Sequence, residues 1–194
     1  MTRYLLTSLR MAVLTLVLVG LLYPLVMTGF AQLLFPRQAN GSLIREGNTI
    51  RGSRLIGQSF IAPRYFHSRP SAAGSGYDGM ASGGSNLGPT SQALHERVQA
   101  DVRRVRGENP GLTGDVPGDM VTTSGSGLDP DITPANAFAQ VARVAHARVL
   151  PEDTVRRMVR QHITRRQFSL LGEPRVNVVQ LNRELDAAQR MPAQ

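Results

Sequence analysis

The fold is decided by the stretch MAVLTLVLVGLLYPLVMTGFAQLLF, which spans residues 11–35. Its only ionisable side chain is that of Tyr23, and Arg10 and Arg37 flank it on either side. As an α-helix this stretch is about 37 Å long, which is enough to cross a bilayer core of ~30 Å with some tilt. The sequence therefore predicts one transmembrane helix followed by a much longer domain outside the membrane.

The flanking charges bear on how the helix is oriented. Residues 1–10 carry Arg3 and Arg10, which favours a cytoplasmic N-terminus, although arginines beyond the helix weaken the rule. A cleaved signal peptide is the alternative, but the apolar run is much longer than the ~7–15 residues of a signal peptide. We therefore predict a single-pass membrane protein with three segments: a cytoplasmic tail at 1–10, the transmembrane helix at 11–35 and a soluble extracytoplasmic domain at 36–194.

One side of the predicted helix carries small or irregular residues. Gly20, Pro24, Thr28 and Ala31 lie at roughly helical spacing, and proline removes a backbone hydrogen bond, which predicts a kink. Small residues allow a second helix to approach closely, so these four form a candidate docking face for a partner helix. The alternative is that glycine and proline are simply common in membrane helices.

Composition excludes several kinds of chemistry. The chain has 22 basic and 14 acidic residues, a net charge of +8, and it contains neither cysteine nor lysine. Disulfides, thiolate metal sites, cysteine nucleophiles and the lysine of a phosphate-binding P-loop are therefore absent. The arginines are scattered and aromatic residues make up only 5%, so the positive charge predicts a solvated surface and no nucleic-acid partner.

The remainder of the chain predicts one α+β domain. Short apolar pairs separated by glycines favour strands between residues 38 and 69, and residues 71–90 form a long Gly/Ser loop. Apolar periodicity and capping residues then predict three helices, a strand and a C-terminal helix. The three helices begin at Ser91, Thr133 and Pro151 and end near Arg106, Arg148 and Gly172, and the strand covers 175–179. We expect Phe138, Val141, Ala142, Ala145 and Val149 to be buried.

Few residues suggest chemistry of their own. The four histidines show no metal-ligand spacing, no GxSxG elbow exists, and the GxGxxG match at 74–79 lacks a preceding strand, so we predict no metal and no catalytic residue. The exception is a glycine-rich turn before a helix, where backbone N–H groups and hydroxyls can surround an anion such as a nucleotide phosphate. Its residues are Ser124, Gly125, Ser126, Gly127 and Asp129. The alternative is a tight structural turn.

Six blocks of sequence, in order, resemble the C chain of the Kdp-type potassium-transporting P-type ATPase. They are Tyr23-Pro24, Leu55 to Phe60, Tyr65-Phe66 with Arg69 to Ala72, Gly84 to Thr90, Ser124 to Pro130, and Arg175 to Val178 with Leu181-Asn182. One departure is that the histidine usual in the family after the Asp-Pro pair is here Asp131.

The resemblance implies a non-catalytic accessory subunit of a high-affinity potassium uptake complex. Its implied partners are a channel-like potassium-translocating subunit, an ATP-hydrolysing subunit, a small membrane subunit and membrane lipid. In the family this chain is described as a catalytic chaperone that promotes ATP binding by the catalytic subunit, so ATP is expected through the complex and no cofactor is expected to bind firmly. The alternative role is an extracytoplasmic cover at the potassium entrance without nucleotide contact, where acidic residues between Glu108 and Asp131 would attract cations.

Overall fold

The computed structural model describes residues 1–190. The chain divides into two compact units, Met1–Ser53 and a second unit that begins at Arg54. Each unit is treated by itself below. Helices and small antiparallel sheets occur together, which confirms the predicted α+β class with a long apolar helix at the N-terminus.

The first unit consists of a long helix and a hairpin. Its secondary structure comprises α1 (Thr2–Thr15), a π-helical segment (Leu16–Leu22), α2 (Tyr23–Leu34), α3 (Pro36–Ala39), β1 (Leu43–Glu46) and β2 (Thr49–Ser53). The first three segments form one continuous apolar helix of 33 residues, long enough to cross a membrane. Helical structure therefore extends back to Thr2 and includes the residues between it and the apolar stretch.

A π-helical segment lies just before Pro24, the residue at which a kink is predicted. Leu16–Leu22 leaves α-helical geometry immediately before Tyr23 and Pro24. Proline has no N–H to donate to the carbonyl of Gly20 four residues earlier, so α-helical pairing is interrupted at this point. Departures from α-helical pairing are commonly found where a proline breaks the hydrogen-bond ladder.

The second unit contains five helices and three short strands among its described residues. They are α4 (Gln92–Glu108), β3 (Asp131–Ile132), α5 (Pro134–Ala139), α6 (Val141–Arg148), α7 (Glu152–Gln161), β4 (Ile163–Thr164), β5 (Arg175–Asn177) and α8 (Val178–Arg190). A 3₁₀ turn, Gly118–Met120, lies between α4 and β3. The strands form one antiparallel sheet in the order β3-β5-β4.

The sheet and the helices α5 to α8 enclose the main core. Its centre is aliphatic apart from Phe66, which is fully buried although it lies in an irregular segment. Leu181 and Leu185 lie one turn apart on α8 and are also fully buried, so this helix presents a continuous apolar stripe. A smaller cluster joins Val105 of α4 to Met120 and Val121.

The predicted helix starts are confirmed. The side-chain oxygen of Ser91 accepts the Leu94 N–H at 3.4 Å, and that of Thr133 accepts the Asn136 N–H at 3.1 Å. Pro134 occupies the first helical position after Thr133, where its missing N–H has no cost.

Three helix predictions are wrong in detail. The helix expected from Thr133 to Arg148 is broken at Gln140 into α5 and α6. Val149, expected in the core, is 92% exposed because it ends α6 in the left-handed conformation, with φ of 55°. The next helix ends at Gln161, well before Gly172, because the following Ile163 pairs with Val176 in the sheet.

Two predicted strand segments are also absent. Leu55-Ile56 and Phe60-Ile61 lie in turns and irregular backbone, whereas the pairs at 43–44 and 49–50 form β1 and β2. Residues 71–90 form the irregular loop that their Gly/Ser content predicts. Tertiary hydrogen bonds of this irregular backbone, described below, replace the sheet pairing.

Candidate functional site

The glycine-rich turn at 124–129 borders an open cavity of about 620 Å³. The cavity is also lined by Leu55, Ile56 and Arg69, which come from a distant part of the second unit. Among the described residues, the backbone N–H groups of Gly125 and Ser126 make no hydrogen bond within the chain. The structure thus brings the predicted turn together with one arginine at the edge of a cavity large enough for a phosphate group.

Arg69 is the positive charge at this cavity. Its guanidinium nitrogens lie 3.3 Å from the carboxylate of Asp129 and 3.3 Å from the carbonyl oxygen of Thr123. The Arg69 side chain is 25% exposed and that of Asp129 is 32% exposed, so the pair is partly shielded from water. Asp129 neutralises much of the arginine charge and would itself repel a phosphate, which argues against a strong anion site.

The same turn also connects separate loops of the domain. Its carbonyl oxygens accept hydrogen bonds from the Gly83 N–H at 2.9 Å, the Ser71 hydroxyl at 2.6 Å and the Gly57 N–H at 2.7 Å. The accepting carbonyls belong to three consecutive residues, Ser126 to Leu128. The turn therefore holds the irregular backbone at three points, Gly57, Ser71 and Gly83, in place of a sheet.

Gly127 is the glycine that this arrangement requires. Its φ is +67°, and a Cβ at this position would lie 2.7 Å from both the Ala73 nitrogen and the Gly83 oxygen. Gly125 has ordinary backbone geometry and open space around it. Only one of the two glycines in the turn is therefore demanded by packing.

A second polar cluster surrounds residues 63–67, which cross the domain without regular secondary structure. Arg143 of α6 donates to the carbonyl oxygens of Pro63 at 2.6 Å and Tyr65 at 3.0 Å. Burial lowers the pKa of Arg143 to about 10, so its guanidinium still carries a proton at neutral pH. Arg148 donates in the same way to the Arg64 carbonyl at 2.6 Å.

Two buried side-chain amides each pair with both backbone groups of one residue in this segment, as a neighbouring strand would. Asn182 accepts the Phe66 N–H at 2.8 Å and donates to the Phe66 carbonyl at 2.9 Å. Gln140 does the same for His67, at 2.7 and 3.0 Å. Both amide side chains are 1% exposed. They satisfy backbone groups that would otherwise be buried without partners.

His67 lies between this cluster and α4. Burial, and then the positive charge of Arg143, lower the pKa of His67 below its ordinary value, although Glu108 acts in the opposite direction. An Arg143 nitrogen lies 3.3 Å from the histidine Nε2, and Glu108 lies 3.5 Å from Nδ1. The histidine Nε2 also lies 3.2 Å from the carbonyl oxygen of Ala62, so this nitrogen faces both a donor and an acceptor.

The acidic residues between Glu108 and Asp131 are largely engaged within the chain. Asp119 accepts the N–H and hydroxyl of Thr133 at 2.7 and 3.0 Å. Burial raises the pKa of Asp131, even though Arg175 lies 2.9 Å from it and acts to lower that pKa. These pairings reduce the negative field that the stretch can project into solution. Within residues 1–190, no three acidic or histidine side chains gather into a metal-binding group.

The predicted docking residues lie along the apolar helix. Gly20 is within the π-helical segment, and Pro24, Thr28 and Ala31 are in α2. The first three are exposed in the isolated chain and Ala31 is partly exposed.

Sequence reasoning missed the residues that hold the irregular segment. No role was predicted for Arg143, Gln140 or Asn182, because their partners are backbone groups far away in sequence. Helical periodicity gave no signal for two of them: at about 100° per residue, Gln140 and Arg143 lie on the side of the predicted helix opposite the residues expected to be buried.

The chain thus combines an apolar helix of membrane-crossing length with a domain whose buried polar side chains hold its own backbone, the architecture of a single-helix anchored protein. The sequence model of one family, described as "K+-transporting ATPase, c chain" and called KdpC, matches residues 5–187. The chain belongs to this family, and its role is that of the accessory KdpC subunit of the potassium-transporting ATPase.

Relatives resemble the chain over nearly its whole length. The potassium-transporting ATPase KdpC subunit of Koribacter versatilis is 54% identical over 192 residues, 99% of this chain and 98% of the relative. That of Myxococcus xanthus is 57% identical, covering 93% of this chain and 86% of the relative. That of Gemmatimonas aurantiaca is 55% identical, covering 96% and 94%. The similarity therefore includes both the apolar helix and the domain.

Proposed function

We propose that this chain is anchored in the inner membrane by residues 11–35, with its N-terminus in the cytoplasm and its domain outside, and stabilises a potassium uptake complex. Its partners in this proposal are a channel-like potassium-translocating subunit, an ATP-hydrolysing subunit and a small membrane subunit. The observation that supports it best is that the chain has two parts with different structural roles. One long apolar helix precedes a domain whose buried polar groups serve its own architecture.

The helix is proposed to dock on a partner through its small-residue face. Gly20 and Ala31 offer little side-chain bulk, and a Cβ at Gly20 would have only Leu16 of its own helix nearby. Without a hydrophobic driving force in lipid, close packing of this kind is a major source of helix association. The π-helical segment before Pro24 shapes the same face.

The domain is proposed to raise the affinity of the ATP-hydrolysing subunit for ATP. Direct nucleotide contact would use Ser124 to Asp129, supported by the cavity and by the unpartnered N–H groups of Gly125 and Ser126. The alternative is a cover at the potassium entrance with no nucleotide contact. Arg69 is already paired with Asp129, and the carbonyl groups of the turn already accept hydrogen bonds from other loop residues. Both observations favour the alternative, in which the turn does not contact nucleotide.

Truncation tests the accessory role. The full chain and a variant that ends after Ser53 are each co-expressed with the other subunits, and complex yield, potassium-stimulated ATP hydrolysis and the KM values for potassium and ATP are measured. We expect the truncated chain to lower the yield or raise a KM. Unchanged yield and kinetics would show that the domain is dispensable and overturn the proposal.

Photolabelling tests nucleotide contact separately. The purified complex is irradiated with an azido-ATP analogue, and labelling of this chain is compared between wild type, Ser126→Ala and Ser75→Ala. Ser75 is a matched control because it is an exposed serine in the Gly/Ser loop. Labelling that depends on Ser126 alone supports contact at the turn, whereas an unlabelled chain leaves the cover at the potassium entrance as the role of the domain. A protease that cuts the domain from outside sealed, right-side-out cells would establish the proposed orientation.

A further inference from the structure

The connection between β4 and β5 is a hairpin with an apolar tip. Gln167 and Leu171 pair as an antiparallel bridge, with hydrogen bonds of 2.9 Å in both directions. Phe168, Leu170 and Leu171 are 92%, 77% and 56% exposed. Three large apolar side chains therefore project together from a narrow turn, which is unusual for residues facing water.

The backbone of this tip is strained. Phe168 and Ser169 have φ values of 52° and 60°, so both central residues are left-handed, as in a type I′ turn. That turn normally uses asparagine and glycine, and a bulky side chain at positive φ is an outlier. Strain of this kind persists where the surrounding structure holds it, and it is concentrated at functional positions. Here the base of the hairpin is closed by an ion pair of 2.6 Å between Arg166 and Glu173.

The charge around the tip is mainly positive. Arg160 and Arg165 are exposed. The charge of Arg166 is partly neutralised by its ion pair with Glu173, which is the only carboxylate between residues 160 and 175. An aromatic and aliphatic tip with basic residues at its base is the chemistry that suits a bilayer surface with anionic headgroups.

The size of the tip favours a lipid surface over a protein partner that would bind through this hairpin alone. Three side chains offer roughly 500 Å² in total, whereas a specific protein interface buries about 1,200–2,000 Å². A lipid surface does not require a large area here, because a covalently attached membrane helix would hold the domain at high effective concentration near the bilayer. We propose that the 167–171 hairpin inserts its apolar tip into the headgroup region of a membrane containing anionic lipid. This inference rests on the proposed membrane anchoring.

Site-specific labelling tests the insertion. The chain has no cysteine, so Ser169→Cys gives a single labelling site that leaves all three apolar side chains in place. The full chain carrying an environment-sensitive fluorophore is reconstituted into phosphatidylcholine–phosphatidylglycerol vesicles with or without acyl-chain bromination. We expect a blue-shifted emission that brominated lipid quenches and aqueous iodide does not. Adding Phe168→Asp should reverse both effects.

Val149→Cys is the matched control. Val149 is also 92% exposed with positive φ, but it ends α6 and has no apolar neighbours in a hairpin tip. Its label should remain accessible to iodide. Replacing phosphatidylglycerol by phosphatidylcholine should weaken quenching at position 169, and equal quenching would overturn the role of anionic headgroups.

The outcomes separate this inference from the anchoring on which it rests. Flotation of the chain with vesicles after an alkaline wash measures anchoring alone. If the chain floats but the label at 169 remains open to iodide, the insertion is disproved while anchoring stands. If the label becomes protected only when the other subunits are added, the tip binds protein and the lipid proposal is overturned. If the chain does not float, anchoring itself fails.

Discussion

The side-chain amide of Gln140 pairs with both backbone groups of His67, accepting its N–H at 2.7 Å and donating to its carbonyl at 3.0 Å. This is the pattern that a neighbouring β-strand would supply, here provided by one side chain. Because Asn182 does the same for Phe66, two amides substitute for a strand along an irregular segment. The segment can therefore lie in the core without belonging to a sheet.

Gln140→Leu should destabilise the domain by about 3 kcal/mol. The substitution leaves the partly buried N–H and carbonyl of His67 unpaired, and each unpaired group costs about 1–3 kcal/mol when buried. Urea unfolding of the detergent-solubilised full chain measures the change. Gln161→Leu, at the exposed end of α7, is the control and should change stability by no more than ~0.5 kcal/mol. Similar losses of stability in both variants would contradict the pairing of Gln140 with the His67 backbone as a stabilising contact.

Because the pKa of His67 is lowered in the folded state, the domain should lose stability in mild acid. This pKa is lowered, chiefly by burial, from the ordinary value of 6.5. The unfolded chain therefore takes up a proton near pH 6.5 while the folded chain does not, so the stabilisation is present above that pH and is lost below it. Unfolding midpoints measured from pH 8 to pH 5 should fall less steeply for His67→Gln than for wild type. His95→Gln, on an exposed site of α4, should keep the wild-type slope.

The parts of the fold that local sequence could predict are those that local physics controls. The caps at Ser91 and Thr133 and the apolar stripe of α8 were predictable because each depends on residues within one or two turns. The early end of α7 was not, because Ile163 leaves the helix to pair with Val176 across the sheet. The left-handed conformation of Val149 was not predictable for a different reason: glycine is the usual residue at such a helix end.

The candidate site shows the same division. The residues of the glycine-rich turn could be selected from composition, but nothing local indicated that Arg69 would lie beside Asp129. Nor did composition reveal that the carbonyls of Ser126 to Leu128 would accept hydrogen bonds from Gly57, Ser71 and Gly83. Contacts between residues more than 40 positions apart depend on the completed fold.

Gly127→Ala should destabilise the domain by about 2 kcal/mol or more, since alanine at positive φ is strained and its Cβ would contact the backbone of Ala73 and Gly83. Gly125→Ala is the matched substitution in the same turn, and open space at that position predicts a change within ~0.5 kcal/mol. Thermal unfolding of both variants provides the comparison. Equal tolerance of alanine at the two positions would mean that the turn does not hold the irregular backbone as described.

Gly20→Leu should weaken assembly of the complex without unfolding the domain. In the proposed docking face a leucine would keep the partner helix at a distance and remove the close packing on which association of membrane helices depends. The measurement is the amount of the other subunits that co-purify with the chain from detergent. Gly29→Leu is the control, because Gly29 is adjacent to Thr28 yet lies about 100° further around the helix and has open space at its Cβ. Equal losses for both variants would place the contact elsewhere on the helix, and undiminished co-purification of Gly20→Leu would show that small side chains are not needed for docking.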